Sequence, residues 1–258
     1  MMKKTNFSIY SLLIMGVCIV VASSCKKNDD NDPSLNNPTN GKTTAVFNSA
    51  VTYGTMTDQD GNVYKTVTIG TQTWMAENLR TTKYNDGTAV SNVTGATEWA
   101  NLKTGAYCNY NNTTNTDTIA TYGRLYNWYA VNTGKLAPTG WHVPTDAEWS
   151  ILTDYLGGQN VAGKKLKETG VTHWILYNNG TANVATNETG FTALPGGVRG
   201  YHGTYGQVGN YGIWWSSTEL QTYTYWAWMR EMDYDLSNVY RGYDSSKELG
   251  FSVRCVKD

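Results

Sequence analysis

Residues 140–149 read Gly-Trp-His-Val-Pro-Thr-Asp-Ala-Glu-Trp, and this stretch decides the fold. A turn over Pro138 to Gly140 leads into a short apolar strand, Trp141 to Val143, which Pro144 stops. Thr145 then caps a helix, with Glu148 three residues on to close a capping box and Trp149 on the core face. A strand, a proline stop and a capped helix specify an architecture better than an activity.

Composition narrows the class. Ten Trp and 19 Tyr stand against four Phe, with 26 Gly and only 16% charged residues. This describes a loop-rich domain whose amphipathic rings pack on one side and face water on the other. It excludes a helical bundle. With a net charge of -1 and no basic stripe, nucleic acid is excluded as a partner.

The first 24 residues read as a leader. Lys3 and Lys4 precede an apolar run from Ile9 to Ala22, shorter than the ~20 residues that span a bilayer. Ala22-Ser23-Ser24-Cys25 follows, and small residues before a Cys resemble the lipobox of bacterial lipoproteins. Cys25 is therefore the expected lipidation site and membrane attachment, with Ala22 where Leu is usual. The expected address is an outer-membrane lipoprotein on its periplasmic or cell-surface face. Residues 25–44 hold Leu35 as their one aliphatic side chain and read as a disordered tether. Lys26-Lys27-Asn28-Asp29-Asp30 also looks like the export signal of surface lipoproteins in Bacteroidetes, though a solvated linker would read the same way.

With Cys18 and Cys25 set aside, Cys108 and Cys255 remain in an exported, oxidising setting. A disulfide between them would tie the last strand to the middle of the domain, worth roughly 3–5 kcal/mol. The alternative is two buried free thiols.

The folded part is expected to be a single domain over 45–258. Thr55 to Ile69 reads as a hairpin around Asp58-Gln59-Asp60-Gly61-Asn62. A calcium loop would need its Gly at the sixth position and a Glu at the twelfth, so the turn reading prevails. Asp86 to Thr121 reads mostly as loop apart from 105–110. Helices are expected over 122–131, 146–156 and 162–168, the second stopping at Gly157-Gly158. Strands are expected over 191–194, 213–216, 225–231 and 251–256.

Six ordered stretches carry a family resemblance: 64–79, 123–131, 140–149, 189–197 (T-G-F-T-A-L-P-G-G), 214–219 (W-W-S-S-T-E) and 250–258 (G-F-S-V-R-C-V-K-D). Together they resemble the Fibrobacter succinogenes major paralogous domain (FISUMP), abundant in exported proteins of Bacteroidetes and Fibrobacteres and largely undefined in function. The same landmarks are similar to the wider C-type-lectin-like fold and to the sulfatase-modifying, formylglycine-generating enzymes. The resemblance implies an α+β domain with two main helices flanking a small twisted antiparallel sheet, with long loops on one side.

The chemistry of the enzyme branch does not transfer, because it needs paired cysteines near the C-terminus and only Cys255 lies there. His142, His173 and His202 are far apart and lack zinc-ligand spacing. Ser216 and Ser217 lack a nucleophile elbow. Glu219, Asp233, Asp235, Asp244 and Glu248 could supply paired acids for a glycosidase, which keeps a hydrolase as a minor alternative. Lectin calcium motifs are absent where W-W-S-S-T stands. The sequence therefore points to no catalytic residue, cofactor or metal.

What remains is an aromatic, polar surface. Tyr201, Tyr205, Tyr211, Tyr223, Tyr225, Tyr240, Arg241 and Tyr243 lie among Gly, Ser and Asn, a composition typical of binding loops. Trp226 and Trp228 share a face by alternation, and Trp228 reads as core. The expected function is non-catalytic binding of a glycan or surface protein through these loops. The alternative is a structural or assembly component of the envelope, in which the same surface docks another subunit.

Overall fold

The computed structural model describes residue 34, residues 36–176 and residues 185–258, with Asp244 described by its backbone alone. The expected leader over 1–24, the lipidation at Cys25 and the acidic run after it lie outside the described residues.

The expected hairpin forms from β1 (Gly54–Thr57) and β2 (Val63–Ile69), with Met56 opposite Tyr64. Asp58 builds its turn. Its carboxylate accepts from the N–H groups of Asp60 and Asn62, the Asn62 side-chain amide and the Tyr64 hydroxyl, all within 2.9 Å. Those lone pairs are spent on the turn, in agreement with the turn reading. β3 (Gln72–Met75) continues the meander, pairing Trp74 with Val67.

Residues 86–126 hold more structure than expected. They carry β4 (Ser91–Asn92), α1 (Ala96–Ala100), β5 (Ala106–Cys108), a 3-10 turn at Tyr110–Asn112, α2 (Thr116–Tyr122) and β6 (Leu125–Tyr126). The expected helix over 122–131 does not form. Gly123 ends α2 at φ 75°, so close to the chain that a Cβ would lie 2.6 Å from that of Asn78. The Arg124 N–H donates to Leu79 O at 3.0 Å and the Tyr126 N–H to Phe251 O at 2.8 Å. These cross-chain bonds override the helical spacing of Leu125, Trp128 and Tyr129, and helix returns only as α3 (Trp128–Val131), capped by Asn127.

β7 (Trp141–His142) and α4 (Asp146–Tyr155) realise the opening stretch as read, with both halves of the Thr145–Glu148 capping box present. α5 (Gln159–Leu166) packs beside α4. Then follow β8 (Gly196–Arg199), β9 (Tyr205–Val208), β10 (Tyr211–Glu219), β11 (Trp226–Asp233), β12 (Tyr240–Ser246) and β13 (Val256–Lys257). The strand expected over 191–194 reduces to a bridge between Lys167 and Ala193, and that over 251–256 to bridges leading into β13.

The result is a mixed α and β fold with mostly antiparallel sheets. The largest has the order β1-β2-β3-β13-β7, so the C-terminal strand closes onto the first hairpin. A second sheet, β10-β11-β12, separates two apolar clusters. Adjacent Trp215 and Trp214 on β10 point into opposite clusters, and both are fully buried. Trp74, Trp99, Trp128, Trp149 and Trp174 are buried as well, so Trp here largely replaces aliphatic core.

Two further expectations are corrected. The tether does not reach residue 44, because from Asn37 onward the chain lies on the domain. Thr39 is buried and its hydroxyl accepts from Arg80 Nε at 2.9 Å. The Thr44 hydroxyl meets His173 Nε2 at 2.9 Å, and the Val46 N–H donates to Glu168 Oε1 at 2.5 Å. These polar residues have little to bury, but they satisfy an arginine, a histidine and a glutamate that are themselves buried. The second correction concerns the disulfide. Cys108 and Cys255 are free thiols in separate apolar clusters, one with Trp99 and Leu125, the other with Met75 and Val253. Burial pushes both thiols up.

Candidate functional site

β11 alternates strictly at its start. Ala227 and Met229 are buried while Trp226 and Trp228 are only half-buried. Trp228 is therefore not core as expected, since the small and flexible side chains took the inward face. Trp226, Trp228 and Arg230 share the other face, and Arg241 of β12 pairs opposite Arg230. Between Ala227 and Met229 the register against β12 jumps from Ser245 to Gly242, so β12 bulges by one residue around Tyr243.

Tyr243 consequently meets Trp228 edge-on, with ring centroids 5.3 Å apart. The Arg241 guanidinium lies 3.7 Å from the Trp228 ring centre. At the other end, Tyr223 and Tyr225 each sit 5.1 Å from Trp226 and 6.0 Å from each other. Their loop is fastened by backbone bonds from Leu220 N to Trp226 O (3.1 Å) and from Lys247 N to Tyr225 O (3.2 Å). Tyr223, Tyr225 and Tyr243 each keep about half their surface exposed. The outcome is a strip of pinned, half-exposed rings.

Asp146, the first residue of α4, anchors the strip's charged end. Its carboxylate takes Arg230 Nη1 at 2.8 Å, Arg241 Nε at 2.9 Å and Arg241 Nη2 at 2.7 Å. Burial works against the Asp146 carboxylate, but the two guanidiniums outweigh it and hold its pKa low. Sequence reasoning missed Asp146, whose local role is a first-turn acid and whose partners lie 84 and 95 residues away.

The other expected residues are dispersed. Tyr240 pairs opposite Glu231 and so lies on the reverse face of the sheet, where Glu231, Asp233, Leu236, Asn238 and Tyr240 line a depression of about 210 Å³. Tyr211 pairs with Asp233 at the same end and is partly packed on the core. Burial and the neighbouring Asp235 push the Asp233 carboxyl up. Tyr205 packs edge-on against Tyr110 at 5.5 Å and donates to Asn112 Oδ1 at 2.7 Å, which makes it structural. Tyr201 packs against His202 in the β8–β9 turn, with ring centroids 4.0 Å apart, and among the described residues no ring contact joins it to the strip.

The histidines stay apart. His142 bonds Asp258 through Nδ1 and Glu148 through Nε2, both at 2.7 Å. His173 bonds Glu168 at 2.7 Å. Among the described residues no group of three His, Cys, Asp or Glu side chains is arranged to hold a metal ion, and no helix is long and apolar enough to cross a membrane.

No curated protein and no solved structure matches the chain. The sequence pattern of one family does match, over residues 67–257, from the second hairpin strand to the closing strand. The chain belongs to the Fibrobacter succinogenes major domain family.

Proposed function

We propose that the protein is a lipid-anchored binding protein of the cell envelope that holds a glycan on the strip formed by Tyr223, Tyr225, Trp226, Trp228 and Tyr243. One observation carries this reading: the three tyrosine rings are half-exposed and the two indoles partly so, yet all are pinned by strand and loop hydrogen bonds and by one another. Rings fixed before binding lose little entropy when a ligand arrives, and their flat faces suit the apolar faces of pyranose rings. The leader-like first 24 residues and Cys25 support the envelope address. The finer fold is C-type-lectin-like, a reading supported by the terminal strands sharing one sheet while the second sheet carries the exposed loops.

Glycan-array binding with a paired pull-down from the cell surface tests this. Tyr223→Ala with Tyr243→Ala should abolish glycan signal, while Tyr240→Ala, on the reverse face, should leave it intact. Signal that survives the pair refutes the strip as the site. Capture of an envelope subunit, with no glycan bound, favours an assembly component instead.

A second reading has its own observation. Glu231 and Asp233 line one depression, and the Asp233 carboxyl is pushed up, as suits a proton donor. Release of reducing ends from a polysaccharide, lost in both Glu231→Gln and Asp233→Asn, would establish a glycoside hydrolase. The binding account expects no turnover.

A further inference from the structure

Two arginines share one carboxylate at the strip's end. Arg230 is fully buried and its guanidinium contacts Asp146, Ser150 Oγ and the carbonyls of Asp146 and Met229. Arg241 is 36% exposed. Among the described residues no other carboxylate is paired with either arginine, so the trio carries one net positive charge. Its buried half is closed off, and the surplus is presented to solvent at Arg241.

The orientation of that guanidinium is set from two sides. Trp228 supports its face at 3.7 Å. Asp146 takes the edge formed by Nε and Nη2. Nη1 makes no hydrogen bond to another described residue, so the end formed by Nη1 and the second N–H of Nη2 is open. A planar fork of two parallel N–H donors matches a carboxylate, and here the fork is already immobilised between an indole and an aspartate. It also lies beside Tyr243, within the row of rings that would stack a sugar.

We propose that the strip recognises an acidic glycan, a saccharide chain bearing uronic-acid carboxylates, and that Arg241 takes a carboxylate while the rings hold the sugar faces. This deepens the glycan reading and rests on it. It makes Arg241 the specificity residue and the rings the source of uniform affinity.

The test compares oligogalacturonate with its methyl ester by calorimetric titration, in low and in high salt. The wild-type protein should bind the acid at least about tenfold tighter than the ester, with the preference shrinking as salt screens it. Arg241→Gln should bind both forms with the ester's affinity, and Arg241→Lys should keep only part of the preference. Asp146 stays paired with Arg230 in both variants, and an unchanged urea midpoint would show that the fold persists. Equal wild-type affinity for acid and ester, or a preference that survives in Arg241→Gln, overturns the proposal. The parent reading fails separately, if ester binding persists in Trp228→Ala.

Discussion

Trp228 shows how far a single side chain could be read from sequence. The A-W-M-R alternation says that two faces exist, but not which one turns inward. Packing chose the face of Ala227 and Met229, because Trp215, paired opposite Met229, already fills the space between the strands and the first cluster. Exposure of Tyr223, Tyr240 and Tyr243 was legible from the polar, Gly-rich loops around them. Because Trp228 is only half-buried, Trp228→Ala should cost little stability, on the order of 1 kcal/mol for the lost cation–π and ring contacts. It should nonetheless remove most glycan affinity, and urea titration alongside ligand titration separates the two effects. Gly163 is the opposite case, silent in sequence and critical in packing. A Cβ there would lie 2.1 Å from the carbonyl oxygen of Asn238. Gly163→Ala should therefore destabilise by roughly 1–3 kcal/mol despite Ala's better helix propensity, as read by denaturant midpoint.

The β7–α4 unit was the most legible element because its determinants are local. Proline stop, Thr cap and Glu148 all act within a few residues. The expected helix over 122–131 failed for the converse reason, since its fate rested on partners at Leu79 and Phe251. Thr145→Ala should cost about 1 kcal/mol of stability. Glu148 has a second duty, because with Asp258 it clamps His142 and so pins the chain end against β7. Burial pulls the His142 pKa down, but its bonds to Asp258 and Glu148 outweigh that and raise it above the ordinary 6.5. Burial raises that of Glu148, but the Thr145 N–H, His142 and the Thr145 hydroxyl bring it below its ordinary 4.5. A raised histidine stabilises below its unfolded value and loses that contribution as pH rises through the folded one. A lowered glutamate stabilises above its unfolded value and loses it as pH falls. The clamp should thus be strongest between about pH 4.5 and 6.5. The melting-temperature difference between wild type and His142→Asn should peak in that window and shrink as pH rises above it. A difference that is flat with pH would show that the clamp carries no charge.

At the level of the whole molecule, the β10–β11–β12 sheet divides two cores, and the strip runs along β11, the edge strand β12 and the loop before β11. Composition anticipated a loop-rich domain with many rings, but not how completely Trp fills its core. It could not reveal the docked segment from Asn37 to Val46, whose value lies in satisfying buried Arg80, Glu168 and His173 rather than in burying apolar surface. Removing that segment should lower the melting temperature, and Arg80→Ala should reproduce part of the loss. The free thiols at Cys108 and Cys255 should leave stability unchanged by reductant, and should react with a thiol reagent only after unfolding. The claim on which the functional account turns is that the rings of β11, β12 and the loop before β11 form the ligand surface. Hydrogen–deuterium exchange with and without a bound glycan reads this directly. Protection confined to residues 220–246 is the expected result. Protection centred on the β8–β9 hairpin or on α4 and α5, with residues 220–246 unchanged, would contradict it.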